Sequence, residues 1–228
     1  MKIGFYGHSA ACWAGYPVNG QLSFIDMICE HYQATLVNKG VPQGSQERIL
    51  FQLKKTKEID LAVIFHSIPG FVYLPSCQRD LSLAEINDKA FYLWKEVTED
   101  STDFAKAKEK YFSYGGIKET FQDIEIFIDT MLLYKKFLYH PDLNKNRYFG
   151  ALVQTDQFIT TKKIPCIHVI VEKHIPIWFK FTSGMLSYDI PKIEKKYYDM
   201  HWPNNISAEG QQVLSNTFIK KIDQLLGI

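Results

Sequence analysis

Long apolar runs are missing from this sequence: none approaches the ~20 residues that cross a bilayer as a helix, so no membrane span is expected. Paired cysteines are missing too. Cys12, Cys29, Cys77 and Cys166 are widely spaced and form no Cys-x-x-Cys, which argues against a zinc site or a dense disulfide framework. The formal net charge of +1 leaves neither a basic footprint for phosphate neutralisation nor an acidic tail, so no nucleic-acid partner is expected. Glycines between Gly4 and Gly15 do not make Gly-x-Gly-x-x-Gly, and no acidic residue ends the second strand pattern to hold a ribose, which counts against a dinucleotide cofactor. Internal repeats and low-complexity tracts are lacking as well. Met1-Lys2 runs directly into a strand pattern without a charged and apolar leader, so a cytoplasmic location is expected, although a phage or viral product would look the same.

What is present is an alternation of short apolar runs and helical patterns, the signature of βαβ units on a parallel sheet. Strands are expected at Lys2 to Tyr6, Thr35 to Asn38, Asp60 to His66 and Pro165 to Glu172, with a weaker one near Ile177 to Phe181. Leu22 to Tyr32, Gln46 to Lys57 and Ser207 to Leu226 carry apolar residues at helical spacing. The expected fold is therefore α/β: three layers around a flavodoxin-like parallel sheet of about five strands. The 228 residues suit a single domain. Residues 76–161 are too long for an ordinary crossover and read as a helical insertion or lid, with helices expected at Leu81 to Glu96, Phe104 to Tyr114 and Ile117 to Tyr139 and a shorter piece to Thr161.

Chemistry concentrates at the strand ends. Ile3-Gly4-Phe5-Tyr6-Gly7-His8-Ser9 delivers a serine to the loop after the first strand, where open α/β sheets build their sites. A serine needs a base and a group that orients that base. Asp199 and His201 stand two apart in Tyr198-Asp199-Met200-His201-Trp202-Pro203-Asn204, close enough for the carboxylate to brace the imidazole. Asn38-Lys39-Gly40-Val41-Pro42-Gln43-Gly44 places two glycines after the second strand, where a backbone N–H can approach a developing oxyanion. Phe65-His66-Ser67-Ile68-Pro69-Gly70 ends the third strand on the same edge. His8, Trp13 and Trp202 are candidate walls for a substrate. His31, His140 and His174 read as structural or solvated, and His168, inside an apolar strand, reads as a satisfied core histidine; no spacing suggests a metal.

In this order the blocks resemble the SGNH, or GDSL-like, hydrolase superfamily over residues 1–75 and 165–228. The resemblance implies a catalytic triad of Ser9, His201 and Asp199. It implies an oxyanion hole from the N–H groups of Ser9 and Gly44, with Gly40 as second choice. Three departures stand out: His8 replaces the usual aspartate, the aspartate-to-histidine spacing is two instead of three, and the third block has no asparagine. His66 or Ser67 is left to stand in for that asparagine donor. The implied activity is that of a serine esterase or deacylase on a small-molecule or saccharide acyl ester, an O-acetyl group included, with no cofactor. Two alternatives remain open: acyl transfer by the same triad, and a binding protein that keeps the fold with a degraded site.

Overall fold

The computed structural model describes residues 1–7, 11, 22–41, 44–67, 69, 71–74, 79–82, 140–170, 175, 179–188 and 206–228. Their elements are, in chain order, β1 (Lys2–Gly7), α1 (Phe24–His31), β2 (Thr35–Gly40), α2 (Gln46–Lys55), β3 (Leu61–His66), β4 (Phe71–Leu74), β5 (Arg79–Ser82), α3 (Pro141–Lys162), β6 (Cys166–Ile170), β7 (Met185–Ser187) and α4 (Ala208–Leu226). Five strands form a parallel sheet in the order β2-β1-β3-β6-β7, and β4 pairs with β5 in a separate two-stranded sheet. With that small sheet set aside, the order is the flavodoxin-like 2-1-3-4-5, whose direction reverses between β1 and β3.

The central strands are apolar on both faces because both faces are covered. Ile3, Phe5, Val63, Phe65, Ile167 and Val169 pack with Phe24, Ile25 and Ile28 of α1 and with Leu214, Phe218 and Ile222 of α4. On the opposite face, Tyr6, Ala62, Ile64 and Cys166 pack with Ile49 and Leu53 of α2 and Ile159 of α3. The result is three layers. Period-two alternation along each strand sorts its side chains between these two cores, and Phe24 joins helix to sheet by stacking on Phe218 at 5.7 Å and meeting Phe65 edge-on at 6.1 Å.

Serines start three of the helices. Ser23, Ser45 and Ser207 accept the N–H groups of Asp26, Arg48 and Gly210 respectively, satisfying first-turn donors that have no partner within the helix. α4 ends at Gly227, whose left-handed φ of 72° closes the last turn. Tyr148, Ala151, Leu152, Thr155 and Ile159 make the buried stripe of α3.

Two expectations need correction. The last strand of the sheet is Met185–Ser187, whereas residues 179–181 of the expected strand are not strand. Phe179 and Phe181 gave that segment its apolar character, and Phe181 spends its ring on buried histidines instead of a sheet face. The helix expected from Leu81 meets strand at its start, because Arg79–Ser82 belongs to the two-stranded sheet. Met1–Leu81 with Lys145–Ile228 forms one compact unit and Ser82–Asn144 a second; the helices expected between residues 83 and 139 lie outside the described residues. Among the described residues no helix is long and apolar enough to cross a membrane.

Candidate active site

The carboxyl ends of β1, β2 and β3 stop level with one another. Gly7 pairs with Gly40 on one side and Phe65 on the other, and Val41 N–H donates to the Gly7 carbonyl at 2.9 Å. Gly7 has φ of 147°, and a Cβ there would lie 2.5 Å from the Phe65 carbonyl oxygen, so the turn out of β1 needs glycine. His8, Ser9 and Trp13 follow it outside the described residues, as do Asp199, His201 and Trp202.

Described residues flank both of those segments. Ala11 is fully buried in the core shared with α1 and α4, and so is Ile206, just before the Ser207 cap of α4. Phe24 N–H at the start of α1 donates to Gln211 Oε1 at the start of α4, at 2.8 Å. The two helix beginnings are thereby tied together.

The expected oxyanion donors have specific partners. Gly40 N–H donates to its neighbour Asn38 Oδ1 at 2.8 Å, and Gly44 N–H closes a turn onto the Val41 carbonyl at 2.9 Å. Ser67 N–H donates to Gln46 Oε1 at 3.2 Å. His66 is buried with both ring nitrogens in contact, Nδ1 with Gln46 Oε1 at 3.2 Å and Nε2 with His168 Nδ1 at 2.9 Å. The Ser67 hydroxyl differs from all of these: its oxygen is buried and has no hydrogen-bond partner among the described residues. A buried hydroxyl without a partner costs free energy that a ligand oxygen could recover.

His66 belongs to a polar row that sequence reasoning did not assemble. His168 Nε2 lies 3.1 Å from Ser183 Oγ, and that hydroxyl donates to Asp156 Oδ1 at 2.5 Å. Asp156 also accepts the Ser183 N–H at 3.0 Å and both the N–H and hydroxyl of Thr182, at 2.8 and 2.6 Å. The row runs beneath the α2 and α3 side of the sheet, because His66 and His168 lie on the same face of adjacent strands. Burial raises the Asp156 carboxyl, but the hydrogen bonds from Ser183 and Thr182 outweigh it and hold the group below its ordinary value. For His168, burial outweighs the upward pull of the Asp156 charge and of Ser183 and lowers the imidazole to about 4. His168 is indeed a core histidine with both nitrogens engaged. Alternation could have suggested that it shares a face with the strand-end His66, but not which strands are neighbours.

Among the described residues no group of three or more His, Cys, Asp or Glu gathers to hold a metal ion. No protein-family model matches the chain, and no curated protein matches it. Among solved structures, the chain is similar to one described as "Structure of a putative lipolytic protein of G-D-S-L family from Desulfitobacterium hafniense DCB-2", at 13% identity and a TM-score of 0.34, over 96% of this chain and 98% of that one.

Proposed function

We propose that the chain is a serine ester hydrolase of SGNH type, acting on an acyl ester such as an O-acetylated saccharide. The observation that carries this reading is the level ending of β1, β2 and β3, with the buried, unpartnered Ser67 hydroxyl at the end to which β1 leads Ser9. The tie between Phe24 and Gln211 supports bringing the Asp199 and His201 segment to that edge.

In this reading Ser9 Oγ attacks the ester carbonyl carbon while His201 takes the hydroxyl proton and Asp199 holds the imidazole in the required tautomer. The oxyanion is met by the Ser9 N–H and by the Ser67 hydroxyl, which replaces the asparagine amide usual in such enzymes. Collapse expels the alkoxide, which takes the proton from His201, and water repeats the sequence on the acyl-enzyme. Gly44 N–H, and Gly40 as second choice, joins the hole by exchanging its present acceptor for the oxyanion. His8, Trp13 and Trp202 line the acyl or alcohol side. Hydrolysis of a short acyl nitrophenyl ester by the wild type, abolished in Ser9→Ala, is the expected result; full activity in that variant contradicts the mechanism.

The engagement of the Gly40 and Gly44 N–H groups favours a second reading, a binding protein that keeps this fold without turnover. Binding of an acylated saccharide with equal affinity by wild type and Ser9→Ala, and hydrolysis by neither, would select it. Acyl transfer to a sugar hydroxyl uses the same residues and is separated by product analysis with an acceptor present.

A further inference from the structure

A cavity of about 650 Å³ opens at the amino edge of the sheet, opposite the candidate active site. Lys2 begins β1, Asp60 immediately precedes β3 and Ile164 stands two residues before β6, and all three line it. β1 carries the chain about 17 Å from this edge to Gly7, and the cavity shares no lining residue with the strand ends that bear Gly7, Gly40 and Ser67. Its floor is apolar: Leu53 is buried in the core on the α2 and α3 side, and Ile59, Phe158 and Ile164 pack half-buried against that core. Its rim is basic. Lys2, Lys54, Lys57 and Lys162 face Glu58 and Asp60, an excess of two positive charges on a chain whose formal net charge is +1. Both carboxylates answer to Lys2: Glu58 takes its Nζ at 2.9 Å and Asp60 its backbone N–H at 2.7 Å. Lys54 Nζ donates to the neutral Gln154 Oε1 at 3.3 Å, and Lys57 and Lys162 have no hydrogen-bond or ion-pair partner among the described residues.

We propose that this cavity binds a phosphate monoester with an apolar body, the phosphate held by Lys57 and Lys162 with Lys54 beside them, and the body laid on Phe158, Ile59 and Ile164. A phosphate monoester carries about −1.5 to −2 at pH 7, which matches the excess of two positive charges; a carboxylate would leave half of that excess unmet. Lysine suits the task as a mobile point charge on phosphate. The volume falls within the ~300–1,000 Å³ of small-molecule sites, and an apolar floor with a few charged groups is their usual composition. Ester hydrolysis at the other edge and binding here are independent, and either can fail alone.

Lysines in the last turn of a helix have a plainer use, since the carbonyl ends of α2 and α3 favour cations. That use covers Lys54 and Lys162. It does not cover Lys57, which lies beyond the Thr56 cap in the connection to β3. The carbonyls that end the two helices are also engaged already. Thr56 N–H donates to the Gln52 and Leu53 carbonyls, and Thr56 Oγ1 to the Gln52 carbonyl as well. Lys163 N–H donates to the Thr160 carbonyl and Ile164 N–H to that of Ile159. The lysine ammonium groups are therefore left for a ligand, and the half-buried ring of Phe158 gives that ligand's body a surface to cover.

The test is an NMR titration of the whole ¹⁵N-labelled chain with 1-naphthyl phosphate, inorganic phosphate, 1-naphthol and 1-naphthoate, in about 0.15 M salt so that charges beyond a Debye length are screened. 1-Naphthyl phosphate should saturate one site and shift the backbone amides of Lys57 to Asp60 and of Lys162 to Ile164. It should bind at least about tenfold more tightly than each of the other three, which carry one half of the ligand or half of its charge. Lys57→Gln with Lys162→Gln in one chain should weaken it by at least about tenfold. Lys55→Gln with Lys163→Gln removes the same charge from neighbours that do not line the cavity, and should keep the wild-type affinity. All four lysines are exposed, so both double variants should fold, which their amide spectra report directly. Equal weakening by the two double variants reduces the effect to general surface charge and overturns the site. Inorganic phosphate binding as tightly as the ester, 1-naphthoate binding more tightly, shifts centred on the carboxyl edge, or no saturable binding each overturn it as well.

Discussion

Gly7 and Phe65 are in register on adjacent strands, and a Cβ on Gly7 would stand 2.5 Å from the Phe65 carbonyl oxygen and 2.6 Å from its Cβ. The two backbones approach as closely as they do because one of them carries no side chain. Gly7→Ala must both abandon a φ of 147° and push β1 from β3. The expected cost exceeds ~1 kcal/mol, read as a lower urea midpoint with an unchanged slope. A variant as stable as wild type would mean that the turn out of β1 is less constrained than it looks.

Ser67 offers a cleaner separation of activity from stability. Its hydroxyl is buried and has no hydrogen-bond partner among the described residues, so Ser67→Ala should leave the melting temperature unchanged or slightly raised. If the hydroxyl is the oxyanion donor, kcat should fall ~10² to 10³-fold. Ser67→Asn, which restores the amide usual at this place in the resembled superfamily, should retain part of the activity lost in the alanine variant.

Acid stability should report Asp156. Its carboxyl is held below the ordinary value in the folded chain, so its contribution is fully present above the unfolded value of ~3.9 and is lost as the pH falls through the lower folded value. Asp156→Asn should lower stability at pH 6 and flatten the remaining decline below pH 4, followed by denaturant unfolding at a series of pH values. An acid limb of the same steepness in both proteins contradicts the assignment.

The described thiols should be slow to react. Burial, with a smaller contribution from the Asp26 charge, raises Cys29 to about 11, and burial raises Cys166 well above its ordinary value. At pH 8 only about 10⁻³ of the Cys29 thiol is ionised, so iodoacetamide should label both cysteines at rates set by unfolding. Peptide mapping that finds either one modified within minutes in native protein would contradict the burial.

The sheet was legible in the sequence because β1, β3 and β6 are buried on both faces, and such strands read as unbroken apolar runs bounded by turns. β7 was not, since Met185-Leu186-Ser187 is short and partly exposed, while the more apolar sequence from Ile177 to Phe181 drew the expectation to itself. Order along the chain identified the blocks around Gly7, Gly40 and Ser67, and the register of β1 with β2 and β3 places their ends side by side. Hydrogen bonding was beyond the sequence. Nothing in the residues told that the Gly40, Gly44 and Ser67 N–H groups would find acceptors close by, or that His66 would meet His168 across 102 positions. Those facts depend on strand neighbours and side-chain direction, which residue patterns alone do not fix.

The central claim, a serine nucleophile at the carboxyl edge of β1, is tested most directly by a fluorophosphonate probe and intact-mass analysis of the folded protein. One adduct per chain, mapped to Ser9 and strongly slowed in His201→Ala, is the predicted result. No adduct in folded protein, or an adduct on another residue with Ser9 unmodified, would contradict it.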